Sequence, residues 1–225
     1  MRRIVRGAVL LAGGAAASVP LIQGCGTDQS SGPRSTARLT AAVLSRRDLP
    51  SDFLAAEDQQ VFGRLAPGDP DCRRLLDLAD LRGLRDVPQT ASVFYRPSPG
   101  STLAEHVLAM PAARISTYVR DVRRAAAACP VLSVHGTRLR LHRKALQPPS
   151  SASSAGFGIR YTGRTGESYT THYDIVVVPD GERLLVVVQP ALVDRDHPRK
   201  GEDTGAVAAD ALRKLKATPG TTLSP

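Results

Sequence analysis

The chain has 225 residues, of which 42% are hydrophobic and 23% charged. Those fractions place it among ordinary globular proteins, and no period of 20–50 residues repeats, which excludes a solenoid. The formal net charge is +9, so the polyanions available to the chain depend on its compartment.

The N-terminus addresses that question. Arg2, Arg3 and Arg6 precede an apolar run over residues 7–22, and Ile22, Gln23 and Gly24 lead into Cys25. A basic start, an apolar middle, a small residue and a cysteine form the pattern of a bacterial lipoprotein signal peptide. The run is shorter than the roughly 20 residues that a membrane span needs, and Gly13, Gly14 and Pro20 interrupt it. The reading is therefore a signal peptide over residues 1–24, removed to leave Cys25 as the lipidated N-terminus. The competing readings are an ordinary secretory signal with an incidental cysteine, and a retained anchor helix. The Arg2-Arg3 pair leaves both the general secretory and the twin-arginine export routes open. Residues 25–37 are poor in large apolar side chains and read as a flexible tether from lipidated Cys25.

Residues 38–47 carry Leu39, Ala42, Val43 and Arg46 on one helical stripe, and Leu49-Pro50 ends that helix. After Asp69, residues 70–82 place Cys72, Leu75, Leu76 and Ala79 at helical spacing. Residues 90–96 read as a strand; 101–109 fit a strand or a short helix, and strand is preferred because the two would pair across Pro97-Ser98-Pro99-Gly100. Residues 111–129 form the clearest helix, with Pro111 in its first turn. Ile115, Tyr118, Val119, Val122, Ala126 and Cys129 share its apolar face.

After Pro130 the period changes from 3.6 to 2. Residues 131–144 extend, with Leu139 and Leu141 on one side and Arg138, Arg140, His142 and Lys144 on the other. A loop at 147–155 and strands at 156–164 and 168–178 follow. Pro179-Asp180-Gly181 reads as a turn between two apolar runs, Ile175–Val178 and Leu184–Val188, which predict a central hairpin covered on both faces. Residues 204–217, capped by Asp203 or Thr204, form a last helix that buries Val207, Ala208, Ala211, Leu212 and Leu215. The domain spans 38–217, and 218–225 reads as a disordered tail. The sum is an α+β domain: an antiparallel sheet of about 5–7 strands with 3–4 packed helices and one disulfide.

The disulfide follows from cysteine accounting. The chain has three cysteines. Assigning Cys25 to lipid leaves Cys72 and Cys129 as a pair in an oxidising compartment, each on the inward face of a helix end. The competing reading is two separate buried thiols.

Chemistry is sparse. No Gly-x-Ser-x-Gly elbow and no His-Glu-x-x-His occurs. Asp194, Asp196 and His197 cluster, but Arg195, Arg199 and Lys200 between and after them oppose a cation, so no metal site is assigned. Gly158–Thr165 imitates a phosphate loop, yet strand patterns flank it on both sides where a strand and a helix are required. No cofactor is called for. Arg138, Arg140, His142 and Lys144 are the candidate anion-binding residues. Removing residues 1–24 leaves 27 basic and 21 acidic groups, a net charge of about +6. An exported domain with that charge meets anionic lipid or wall polymer, not nucleic acid.

Several segments, taken together, resemble a known family. They are Leu44 through Leu49-Pro50-Ser51-Asp52-Phe53, Asp71-Cys72, Ala125–Pro130, the hairpin from Val176 to Val188 and the helix from Ala208 to Ala217. In pattern and order they resemble the extracytoplasmic sensor domains of actinobacterial PknH-type Ser/Thr kinases and related lipoproteins. The resemblance implies an α+β domain with a cleft, disulfide-stapled and without catalysis. It departs in carrying one cysteine pair and no tryptophan, and no kinase or membrane helix accompanies it. The expected function is a non-catalytic, lipid-anchored sensor-like module on the extracytoplasmic face of the cell membrane, binding an envelope ligand or a partner protein. The alternatives are a lipid carrier or envelope-assembly lipoprotein with a cavity lined by Phe157, Ile159 and Tyr161, and a divergent hydrolase in which Asp174 or Glu182 meets a histidine.

Overall fold

The computed structural model describes residues 33–57, 61–62, 65–134, 136–142, 156–196 and 203–219. Cys25, the signal segment, Lys144, the 147–155 loop and most of the 218–225 tail lie outside these residues.

Eight strands form one antiparallel sheet in the order β1-β2-β3-β8-β7-β6-β5-β4. They are β1 (Leu54–Ala56), β2 (Gln89–Arg96), β3 (Ser101–Ala109), β4 (Val131–Val134), β5 (Thr137–His142), β6 (Phe157–Thr165), β7 (Tyr169–Asp180) and β8 (Arg183–Asp194). The helices are α1 (Pro33–Ala42), α2 (Pro70–Ala79), α3 (Ala112–Ala128) and α4 (Thr204–Ala217). The class is α+β as expected, with one strand more than the upper expectation.

Strand alternation sorts the apolar side chains into two cores. On β8, Leu184, Val186 and Val188 join α2 and α3, while Leu185 and Val187 join α1 and α4. The continuous apolar runs of β7 and β8 are thus explained: helices cover both faces of the central hairpin. In α3 the buried positions are Ile115, Tyr118, Val119, Val122, Ala125 and Ala126, the stripe that the 3.6 period picks out.

Helix ends follow local chemistry. The Asp69 carboxylate accepts from the N–H groups of Asp71 at 2.8 Å and Cys72 at 3.0 Å, with Pro70 in the first turn of α2. Asp203 caps α4 by accepting from Gly205 at 3.0 Å and Ala206 at 3.3 Å. Pro111 is the N-cap of α3, not a first-turn residue, because its ψ of 142° is extended.

Several boundaries differ from the sequence reading: α2, expected over 70–82, ends at Ala79, and Leu81 beyond it turns to φ 55°. The first helix runs from Pro33 to Ala42, ahead of the expected 38–47, so residues 33–37 are helical and do not belong to the tether. Arg46 instead lies in a short 3₁₀ turn and donates to the Leu49, Pro50 and Ser51 carbonyls. Residues 131–144 are not one extended segment but a hairpin, with Val134 paired to Thr137. Finally, Pro179 stays in β7, paired with Leu184. The loop is Gly181-Glu182, with Gly181 at φ +64°, because a two-residue hairpin favours a positive φ at its first position to match the strand twist.

One glycine shapes the sheet. A Cβ on Gly163 would lie 2.7 Å from the Arg138 carbonyl oxygen and 2.5 Å from the Leu139 side chain. The backbone of β5 therefore crosses directly over β6 at that point, and only glycine permits the approach.

Candidate functional site

The β4–β5 hairpin walls a cleft of about 510 Å³ on the α2/α3 side of the sheet. The β2–β3 turn contributes Tyr95, Arg96 and Thr102, the hairpin Val134, Thr137 and Leu139, and β6–β7 Thr165, Thr171 and Tyr173. Pro190 and Leu192 on β8 complete the floor. Strand alternation places these side chains on the α2/α3 face, except Arg96, which alternates with Tyr95 and packs on Phe53 from the other side, and pairing of β3 with β8 brings the β2–β3 turn beside the β6–β7 hairpin.

Its walls are fixed from behind. Arg96, almost fully buried, is ion-paired to Asp52 at 2.8 Å and lies 4.4 Å from the Phe53 ring centroid. That contact gives the Ser51-Asp52-Phe53 segment a role: it clamps the end of β2. Tyr173 stacks on Phe62 at 5.7 Å between ring centroids. Tyr95 stands 41% exposed, an aromatic ring open to an occupant. The lining is apolar with serine, threonine and tyrosine hydroxyls and Arg96, and among the described residues no carboxylate, histidine or thiol is part of it. Such a surface orients a ligand by packing and hydrogen bonds.

Cys72 and Cys129 are bridged, with Cα atoms 4.9 Å apart. The bridge ties the first turn of α2 to the C-cap of α3. Tyr161 donates from its hydroxyl to the Cys129 carbonyl at 2.6 Å, and burial raises the pKa of its phenol. Tyr161 is thus a buried structural residue and not part of a cavity. Phe157 and Ile159 do line a crevice of about 280 Å³ between α3 and the sheet, together with Leu141, Ala126 and Ala127. Arg123 lies over the Phe157 ring at 4.8 Å.

Of the two acids named for a hydrolase, Asp174 is engaged by an arginine and a hydroxyl. Asp174 is held by Arg160 through two bonds of 2.8 and 2.7 Å. The Thr204 hydroxyl lies 2.6 Å from Asp174 Oδ2 and 2.8 Å from Gln189 Oε1, so it donates to one of the two. Gln189 in turn donates to the Ser101 hydroxyl at 3.1 Å. This chain links α4 to four strands, β6, β7, β8 and β3. Glu182 sits in the exposed β7–β8 loop, and its carbonyl accepts from the Met110 N–H at 2.9 Å. Among the described residues no three metal-ligating side chains converge.

Arg138, Arg140 and His142 are exposed on one side of β5, with Leu139 buried and Leu141 half-buried on the other. Lys144 lies outside the described residues. The strand is internal, not an edge, because β4 and β6 flank it. Register adds residues that sequence periodicity does not reach: His142 pairs with Arg160, and Arg140 with Thr162, and Thr162 pairs with His172. Burial, then the charges of Arg160 and His142, hold the His172 pKa below its ordinary value.

Two buried titratable groups sit back to back on β3. Glu105 accepts from the Leu44 N–H at 2.5 Å and the Ser92 hydroxyl at 3.2 Å, and burial pushes its pKa up to about 7. His106 faces the other core, its Nε2 without a partner among the described residues, and burial pushes its pKa down to about 4.

By sequence, no protein-family profile and no curated protein matches the chain. By structure, the chain is similar to the extracellular domain of PknH from Mycobacterium tuberculosis, with a TM-score of 0.53 at 12% identity over 81% of this chain and 96% of that one. A Mycobacterium smegmatis protein described as an Rv0999 ortholog aligns at a TM-score of 0.39 and 12% identity, over 81% of this chain and 95% of that one. The lipid transfer and protein localization domain of human StarD13 aligns at 0.26 and 8% identity, over 63% and 97%. The first likeness shows the fold alone, that of the PknH extracellular domain; the other two are too distant to carry argument. No helix among the described residues is long and apolar enough to cross a membrane.

Proposed function

We propose that the chain is a lipid-anchored, extracytoplasmic binding module of the sensor type, non-catalytic, related to the sensor domains of PknH-type kinases and tethered through Cys25. Its ligand occupies the cleft between the β2–β3 turn and the β4–β5 hairpin. The observation that carries this reading is the cleft's lining: an apolar floor, a ring of hydroxyls and, among the described residues, no catalytic pair. A ligand with an apolar body and a few hydrogen-bonding groups fits that surface. The fold shared with the extracellular domain of PknH supports the sensor reading.

The test is incubation of the 31–225 fragment with envelope extract, followed by native mass spectrometry and thermal shift. That fragment is one compact unit. A retained adduct and a raised melting temperature are expected in wild type, both lost in Thr171→Trp, which fills the cleft. No adduct and no shift across all fractions would sink the small-ligand reading.

The crevice beside Phe157 favours a second reading, a lipid carrier. Its apolar walls suit an acyl chain, and Arg123 at its rim suits a charged headgroup. That reading predicts an adduct stripped by detergent and lost in Gly158→Leu, with Thr171→Trp unaffected.

A further inference from the structure

The side of the sheet away from the cleft is unevenly covered. Helix α1 packs over β2 and β3, and α4 over β7 and β8. Beyond them β5 and β6 turn a basic face outward. Arg138, Arg140 and His142 on β5 and Arg164 on β6 are all exposed. Strand alternation puts Arg164 on the side of Arg160, opposite Ile159 and Tyr161. None of Arg138, Arg140 and Arg164 is ion-paired among the described residues. The acids nearby are committed: Asp174 binds Arg160 and Thr204, and Asp203 caps α4.

We infer that this β5–β6 face docks on an anionic phospholipid surface and sets the domain's orientation, with the cleft turned away from the bilayer. Two observations choose lipid over a wall polymer as the occupant. The cations lie exposed on two neighbouring strands and line neither the cleft nor the crevice. Helix α1, through which the chain enters the fold, packs on this same side of the sheet. Residues 26–32 separate Pro33 from Cys25, and a segment of that length reaches at most roughly 25 Å. A lipid on Cys25 therefore holds this side near the bilayer, within a few Debye lengths of its surface charge. Anionic lipid attracts each nearby basic side chain enough to change partitioning about fivefold.

The inference rests on the membrane-side reading, and its test separates the two. The 31–225 fragment, which lacks Cys25, is sedimented with phosphatidylglycerol-containing vesicles and with phosphatidylcholine vesicles at low salt. Selective binding to the anionic vesicles is expected, falling steeply as salt is raised. The triple variant Arg138→Gln/Arg140→Gln/Arg164→Gln is expected to lose roughly a hundredfold in partition, with its melting temperature unchanged. Lysine at the same three positions keeps the charge and the binding. The control triple Arg85→Gln/Arg120→Gln/Arg124→Gln removes equal charge from the α2/α3 side. Equal loss in the two glutamine triples would show a general charge effect and overturn the inference. So would binding to soluble poly(glycerol phosphate) without binding to vesicles, or equal binding to both vesicle types. The anchor is tested separately: membrane retention of full-length Cys25→Ala speaks to lipidation and leaves the vesicle result untouched.

Discussion

Glu105 and His106 predict a stability profile that neither residue produces alone. They are adjacent on β3, one in each core, and both are more than nine-tenths buried. The folded pKa of Glu105, about 7, lies above the ordinary 4.5, so folding favours the neutral acid. Its stabilising contribution is complete below pH 4.5 and is lost as pH rises through about 7. The folded pKa of His106, about 4, lies below the ordinary 6.5, so folding favours the neutral imidazole. Its contribution is complete above pH 6.5 and is lost as pH falls through about 4. Each displacement corresponds to about 3 kcal/mol, acting in opposite directions. Between pH 4.5 and 6.5 the two slopes oppose one another, so wild type should be nearly flat there. Glu105→Gln, which retains an acceptor for Leu44, leaves the histidine slope bare: stability should rise with pH by up to about 1.4 kcal/mol per unit. His106→Leu should show the reverse slope. Urea unfolding of the disulfide-intact 31–225 fragment at pH 4.5, 5.5, 6.5 and 7.5 measures all three. The difference between wild type and Glu105→Gln cancels the other titrating groups. If that difference does not change with pH, the buried carboxylate is not titrating as described.

Three further outcomes are expected. Gly163→Ala should lower stability by about 1–3 kcal/mol, since the added carbon meets the Arg138 carbonyl; an unchanged melting temperature would mean β5 does not cross β6 so closely. Cys72→Ser/Cys129→Ser should lose about 4 kcal/mol by the chain-entropy account of a 57-residue separation, read as a shift in the urea midpoint; a loss under 1 kcal/mol would argue against that account. Asp174→Asn should cost about 3 kcal/mol by leaving Arg160 unpaired, and Asp174→Asn/Arg160→Met should recover part of it in the same assay.

The elements with long, uninterrupted periods were legible in the sequence. Helix α3 repeats its apolar stripe over Ala112–Ala128, and the runs Ile175–Val178 and Leu184–Val188 required cover on both faces. The cysteine pair followed from where each residue stood on its helix. Short elements were not legible. The residues of β1, Leu54–Ala56, carry no alternation, and the β4–β5 turn hides in what reads as one strand. Gly136, at φ +79°, was the available signal for that turn. In α1, Pro33 marks the first turn, but the residues after it carry no apolar stripe.

The cleft itself was out of reach. It depends on β8 returning beside β3, which sets Tyr95 and Thr171 around one space from distant parts of the chain. The basic stripe of β5 was readable by alternation, whereas Arg160, Arg164 and His172 join it only through strand register. Asp174 looked like a free acid in sequence because its partner Arg160 lies on a neighbouring strand.

The central claim is that a ligand occupies the cleft on the α2/α3 side. Amide chemical-shift mapping of the ¹⁵N-labelled 31–225 fragment, titrated with the envelope fraction that raises its melting temperature, tests this most directly. Shifts should concentrate at Thr102, Thr137, Thr171, Tyr173 and Leu192, with Arg140 and Arg164 unmoved. Shifts centred on Leu141, Phe157 and Ile159, or spread evenly over the surface, would contradict it.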